Sequence, residues 1–374
     1  MTILAWKNLF HDRMRLVVTL VGIVFSLVLI VVQFGLFLGF LDTSSNIAAM
    51  SGADLWMAAP GIPHVNGGTP LTETLRWKAL EVEGVEQVRR YTLAFVNWKL
   101  PSGATESSQV SGYELHSGMG GPWNLVAGSE DALAADDTVI IDELYAAKLG
   151  VQKLGDSAEI SGRRARVVGF TRGIRSFTTA PYVFTSFKNA QNYARLNEDQ
   201  TTYFLVKLNP GASTELVRRE LSARLGSAEV YTNEEMRRKT MMYWVFETGA
   251  GVTTLMGAAL SLIVGAVVVA QTIYAATIDH IREFGTLKAM GASNAVIYRV
   301  IFVQAAISAV MGYAVAIMVG AMVSHASQTG NAPIELPPWM YGAVFAVALS
   351  MCLGASVISI RKATQIDPAM VFRG

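Results

Sequence analysis

Four stretches of the chain hold no Asp, Glu, Lys, Arg or His: residues 16–40, 248–278, 300–324 and 336–360. A helix rises about 1.5 Å per residue and a bilayer's hydrocarbon core is about 30 Å thick, so each stretch can cross with tilt to spare. Backbone in lipid must satisfy its own hydrogen bonds, which makes each of them a helix. The second has length left over to protrude. The 16–40 run far exceeds the apolar core of a cleaved secretory signal, and no A-x-A site follows it, so it reads as an uncleaved signal anchor.

Between the first and second apolar stretches the pattern changes to short periods. Residues 85–100 alternate like a strand around Tyr91, Leu93, Phe95 and Asn97, after a helical 71–82. Strands are predicted at 110–115 and 138–141, then a short helix at 143–149 that stops at Gly150. Residues 157–160 and 164–170 frame a turn at Ser161-Gly162-Arg163 and read as a hairpin. From 201 to 231 the pattern is strand, break at Pro210-Gly211, helix with Leu216, Val217, Leu221 and Leu225 on one face, then strand. Thr232 and Glu235 have the spacing of a capping box, and the helix they open is expected to continue as one rod into the second span. The Gly- and Pro-rich runs at 60–70 and 118–122 read as loops, either solvated connectors or contacts for a substrate or partner.

The expected fold is therefore an α-helical membrane protein with four transmembrane helices in a 1+3 layout. An α+β extracytoplasmic domain, 41–247, lies between the first and second. Composition agrees, with 52% apolar and 16% charged residues, against about a quarter charged in soluble domains. Basic residues near the span ends set the orientation. Residues 1–15, the 279–299 loop and the 361–374 tail each hold three Lys or Arg, whereas the 325–335 loop holds none, so both termini are expected in the cytoplasm. The long segment lies outside, where size overrides its own charge.

Several chemistries are excluded by motif. Lys plus Arg (30) and Asp plus Glu (29) nearly cancel, against a chain built to neutralise nucleic acid, and the lone Cys352 excludes an internal disulfide framework. There is no G-x-x-x-x-G-K-[ST] to cradle phosphates and no H-E-x-x-H, and five scattered histidines give a zinc site no support. Gly211, Gly291 and Gly354 each begin G-A-S without the closing glycine of a nucleophile elbow. No catalytic residue, cofactor or metal site is expected on this chain. The spans carry no charge to couple ion flow, so their energy source is expected elsewhere. Gln33, Gln271 and Gln304 can bond across helices or line a pathway.

Three features remain. Residues 1–15, which include Arg13, form an amphipathic pattern, with Ile3, Trp6, Phe10 and Met14 on one face and Lys7, His11 and Arg15 as a basic stripe on another, suited to the headgroup layer. In the 279–299 loop Phe284, Leu287 and Lys288 share a helical face and Gly291 ends the turn, a short ridge suited to a groove on a soluble partner. In the second span Gly257, Ser261 and Gly265 repeat every four residues, a candidate face for helix packing and for a dimer.

The loop sequence R-E-F-G-T-L-K-A-M-G-A-S, 282–293, resembles the coupling segment of MacB/FtsX-type ABC transporter permeases, although Phe284 replaces that superfamily's usual isoleucine. Asn8-Leu9-Phe10, Thr19-Leu20-Val21-Gly22 and the terminal Asp367-Pro368-Ala369 resemble its first span and C-terminal signature. Within it the chain is most similar to DevC-type glycolipid exporter permeases, through Gly52-Ala53-Asp54-Leu55-Trp56, Val82-Glu83-Gly84-Val85-Glu86, Gly162-Arg163-Arg164, Val167-Val168-Gly169 and Asp279-His280 ahead of the coupling segment. The resemblance implies a type VII, MacB-like architecture and a homodimer working with two copies of a separate ATPase that bind ATP and Mg. It also implies a periplasmic adaptor, an outer-membrane duct and a lipid or glycolipid cargo taken from the outer leaflet or periplasm of a bacterial inner membrane. The outer domain would divide into a porter-like part and a strand-rich insertion near 103–175. Arg282, Glu283, Gly285, Leu287, Lys288, Ala289 and Gly291 match the coupling motif. Phe284, Leu287 and Met290 are expected to fill the ATPase groove, with Glu283 and Lys288 at its rim. The alternative is an FtsX-like signalling permease that activates an outer partner and moves no cargo.

Overall fold

The computed structural model describes residues 13–279, 285–286, 288, 290–330 and 332–364. It divides into two compact units, one built from the spans and one comprising residues 40–251 with 329–332.

The spanning unit has four helices: α1 (Arg13–Ala49), and α7 (Ala250–Asp279), α8 (Asn294–Ser327) and α9 (Pro338–Thr364) following the outer domain. All four are long and apolar enough to cross a membrane. The first runs past the expected residue 40 to Ala49, with Thr43, Ser44 and Ser45 bonding back to carbonyls three or four residues earlier. Helix α1 contributes to the core of this unit. Its buried Ile23, Leu27 and Val31 form one core with Ala316 of α8. A methyl group on Gly312 would collide with Ile23, and one on Gly320 would meet Val31 at 2.8 Å. The stripe Gly312, Ala316, Gly320 is thus what lets α8 approach.

A second small-residue stripe, expected to pack helices, lies on α7. A Cβ on Gly257 would lie 3.1 Å from Gln33 Oε1, and one on Gly265 would lie 3.2–3.3 Å from Ser26, Ile30 and Met351. Ser261 is buried. Gly257 and Gly265 therefore face α1 and α9 of the same chain, so this stripe packs helices within the chain. Small residues serve here because close backbone approach, not burial of large apolar groups, is what binds helices in lipid.

The outer unit is built on a ten-stranded sheet ordered β12-β1-β11-β3-β4-β9-β6-β8-β5, with β7 beside β3 and β8. Its first half is a split βαβ motif. Strand β1 (Leu55–Ala58), helix α2 (Thr74–Leu80) and β3 (Val85–Lys99) pair with β11 (Tyr203–Leu208), α5 (Thr214–Leu225) and β12 (Glu229–Thr232). Their antiparallel order β12-β1-β11-β3 is that of a βαββαβ sandwich. The chain inserted between β3 and β11, residues 100–202, supplies β4 (Thr105–Tyr113), β5 (Leu125–Gly128), β6 (Thr138–Asp142), α3 (Glu143–Ala146), β7 (Ser157–Ile160), β8 (Arg163–Thr171), β9 (Tyr182–Ser186) and α4 (Phe187–Ala194). It extends the same sheet. A separate ribbon joins β2 (Leu71–Thr72) to β10 (Gln200–Thr201).

Alternating residues feed two cores. Tyr91, Leu93, Ile140, Tyr182 and Phe184 belong to one, and Val96, Trp98, Val139, Ile141 and Val183 to the other, as the period of two requires. In the first, Trp56 meets the rings of Tyr91 and Tyr203 edge-on at 5.6 and 5.4 Å. Each polar tip is satisfied: Trp56 Nε1 donates to Asn233, Tyr91 pairs with Ser111, and Tyr203 donates to the Val65 carbonyl.

Local signals account for much of this. The hairpin β7–β8 closes through Ser161 and Gly162, both at positive φ, the backbone that a two-residue turn demands. Thr232 and Glu235 form both bonds of the capping box that opens α6 (Asn233–Met242). Asp54 of the Gly52–Trp56 run accepts the Leu208 amide and pairs with Lys207, which fixes the start of β1 against the end of β11. Other expectations change. The helical 71–82 begins with the two residues of β2, and 143–149 is helical only to Ala146 before turning at Gly150. Leu216 is 67% exposed, because α5 faces the sheet with Val217, Leu221 and Leu225. The 60–70 run is no solvated connector: Ile62, Val65 and Asn66 are buried around a 3₁₀ turn.

Candidate functional site

The expected rod from the outer domain into the second span is broken. Helix α6 gives way to a π turn at Tyr243–Glu247, where the Thr248 amide bonds back five residues to Tyr243. Gly249 then takes φ +73°, and α7 starts afresh at Ala250. Thr248 holds both sides of the break, donating to the Trp244 carbonyl and accepting the Ala250 amide. A side chain on Gly251 would sit 2.5 Å from Val245 Cα, so the joint requires glycine there.

The π turn points its aromatics into a chain of rings. Phe40 of α1 stacks edge-on against Phe177 at 4.4 Å, Phe177 meets Trp244 at 5.2 Å, and Trp244 meets His64 at 5.1 Å. His64 also packs on Tyr243 at 4.3 Å. These rings come from the last turns of α1, the β8–β9 connection, the 60–70 loop and the π turn, so four segments meet at one place. Burial pushes the His64 pKa below its ordinary value, which keeps the ring neutral among its apolar neighbours.

The β8–β9 connection is the brace of this junction. The Arg175 carbonyl accepts Asn46 Nδ2 of α1 at 2.6 Å, and Arg175 Nε donates to Gly330 in the connection between α8 and α9. On its other side the Ser176 amide donates to Tyr145, the Ile174 amide to Asp142, and Gln109 to Thr178. Gln109 is itself buried and accepts from Asn66. One strand connection therefore ties the sheet to the last turns of α1 and to the α8–α9 connection by hydrogen bonds, and to the π turn by the Phe177–Trp244 ring contact. Sequence reasoning missed Phe40, His64, Phe177 and Trp244. The available signals were the histidine in a Gly/Pro-rich run and four consecutive apolar residues, Tyr243 to Phe246, ahead of a span.

Of the coupling residues, Arg282, Glu283, Phe284, Leu287 and Ala289 lie outside the described residues. Gly285 and Lys288 are helical, Met290 is 72% exposed, and the Met290 and Gly291 amides bond back to Thr286 and Lys288 at 3.0 Å. Gly291 ends the turn at φ +93°, a conformation that costs glycine little. Trp6, Lys7 and Phe10 lie outside the described residues. Arg13 opens α1, and of Arg15 only the helical backbone is described. Among the described residues no three His, Cys, Asp or Glu side chains gather as metal ligands.

One apolar helix, a mixed α/β domain and three further apolar helices define a polytopic membrane protein with an extracytoplasmic domain. Residues 16–224 match the MacB-like periplasmic core domain, and residues 255–368 match the FtsX-like permease C-terminal region. The chain belongs to the MacB/FtsX-type ABC transporter permeases. It is 24% identical over 246 residues to an uncharacterized ABC transporter permease of Mycobacterium tuberculosis (strain H37Rv), and the match spans 62% of each chain. It is also similar to the periplasmic region of MacB from Actinobacillus actinomycetemcomitans, with 12% identity and a TM-score of 0.38 over 51% of this chain and 94% of that one. For the extracellular domain of the noncanonic ABC-type transporter YknZ from Gram-positive bacteria the values are 15% and 0.35, over 48% and 99%.

Proposed function

We propose that this chain is the membrane subunit of an ABC exporter, carrying ATP-driven motion of a separate ATPase to its outer domain. It would work as a homodimer in a bacterial inner membrane with both termini in the cytoplasm. Two ATPase copies would hold ATP and Mg and grip the 282–291 turn through Phe284, Leu287 and Met290. The cargo would be an amphiphile, a lipid or glycolipid as in DevC-type systems, passed to a periplasmic adaptor and an outer-membrane duct.

The observation that carries this reading is the braced junction. The β8–β9 connection contacts α1 through Phe40 and Asn46 and the π turn ahead of α7 through Trp244, so a displacement of either helix end must strain the sheet. The test is ATP turnover by the chain in lipid nanodiscs, alone and with its ATPase, with candidate glycolipids added. Turnover by the complex that rises with one lipid is the expected result. Turnover blind to every lipid but responsive to a periplasmic protein would replace export by FtsX-like signalling. Failure of the two proteins to associate would remove the coupling assignment altogether.

A further inference from the structure

The outer domain carries a groove along α6 that runs onto the outer side of the π turn. Beside β12 it is a depression of about 510 Å³ lined by Arg218, Tyr231, Arg238, Lys239 and Met242. Toward the π turn it continues as one of about 540 Å³ lined by Pro63, Lys239, Met242, Tyr243, Phe246 and Glu247. Lys239 and Met242 belong to both, so the groove is continuous.

Its two ends differ in chemistry. At the β12 end the acids are already engaged, Glu229 by the Tyr231 hydroxyl and Glu235 by the capping box and Arg218. Arg238 has no carboxylate or hydrogen-bond partner among the described residues. The Lys239 ammonium sits over the Tyr231 ring at 5.1 Å, which leaves its charge unneutralised. At the other end Met242 and Phe246 are 52% and 59% exposed, although each would gain by leaving water. Phe246 precedes the first residue of α7 by four positions, so at most about 14 Å of chain separates it from the spanning helix. Apolar side chains within eight residues of the spanning helix and cations just before them along α6 match an amphiphile drawn partly out of the outer leaflet. An acidic peptide would use the cations and leave Met242 and Phe246 idle.

We infer that this groove holds an anionic membrane lipid, its phosphate or carboxylate headgroup on Arg238 and Lys239 and its acyl chain over Met242 and Phe246. This deepens the export reading and rests on it for the direction of traffic, but the binding itself needs no ATP.

The test uses the full chain in phosphatidylcholine nanodiscs containing a phosphatidylglycerol with a photoreactive acyl chain, followed by mass spectrometry. The expected label falls on residues 242–246. It drops roughly tenfold in R238Q/K239Q, and equally when the photoreactive chain is carried by phosphatidylcholine. Both substitutions are at the surface, and an unchanged melting temperature confirms folding. Equal labelling by the two lipids, indifference to R238Q/K239Q, or label confined to the spanning helices would overturn the assignment. So would disulfide formation between two copies of M242C, which would place a second chain in the groove. Anionic-specific labelling with ATP turnover that ignores the same lipid would keep the groove and remove the export reading.

Discussion

The two units of this chain pack by opposite rules. In the spanning unit Gly257, Gly265, Gly312 and Gly320 are where helices come closest to α1, while Met256, Leu260, Met318 and Met322 face outward at 59–67% exposure. In the outer unit the largest side chains are the most buried, with Trp56, Trp98, Tyr91 and Tyr203 at 1% exposure or less. Water makes the difference. Where water surrounds the fold, each buried square ångström of apolar surface stabilises by about 25 cal/mol, so large rings go inside. Where lipid replaces water that gain vanishes, and the remaining force is close contact between backbones, for which glycine and serine are best.

The contrast can be broken most sharply at Trp56. Trp56→Ala opens a cavity beside Tyr91 and Tyr203 and leaves Asn233 without its indole donor. It should cost about 3–5 kcal/mol, read as loss of the outer unit's melting transition in the full chain. The spanning unit should instead fail on gaining volume. Gly312→Leu drives a side chain into Ile23 and should cost about 1–3 kcal/mol in a detergent melt. Gly342→Leu, with nothing within 4 Å of its Cβ position, should leave the same melt unchanged. A Gly312→Leu protein that melts like Gly342→Leu would mean that α8 does not pack on α1 as described.

Smaller effects probe the junction between these rules. Thr232→Ala removes one bond of the capping box and should lower stability by about 1 kcal/mol, with Thr232→Ser restoring it. The smallest effect is a pH dependence. Burial holds the folded His64 pKa below its ordinary value of 6.5, so on acidification through that value the unfolded chain takes up a proton that the folded chain resists. Stability should therefore fall as pH drops from about 7.5 to about 5.5. His64→Phe should flatten that slope in a pH series of thermal melts.

Elements governed by near neighbours were legible in the residues. The four spans, the alternation of β3, the β11–α5–β12 unit and the capping box each follow from periodicity or spacing within one short window. What was not legible depended on distant partners. Nothing in Tyr243-Trp244-Val245-Phe246 forbids an α-helix, and the π turn is selected where Trp244 finds Phe177 and His64, residues far away in the chain. The stripe at Gly257, Ser261 and Gly265 was visible, yet its partner was not, since spacing says that a helix can approach without saying which one. Gly312, Ala316 and Gly320 carry the same signal and passed unnoticed among other small residues of the third span. The loop at 60–70 looked solvated because its composition is that of a turn, whereas Ile62 and Val65 are anchored in the core.

Strands β1 and β12 lie side by side, with Leu55 opposite Thr232, and Asn233 accepts from both Ser51 and Trp56. The polypeptide therefore leaves and rejoins the membrane-bound part of the chain through a single pair of hydrogen-bonded neighbours. Besides that pair, the segment from 55 to 232 is held only where the β8–β9 connection meets Phe40, Asn46, Trp244 and Gly330, among the attachments described above. A domain exchanged for another would therefore need adjacent ends and a brace of the same kind, while its remaining strands could grow or shrink freely.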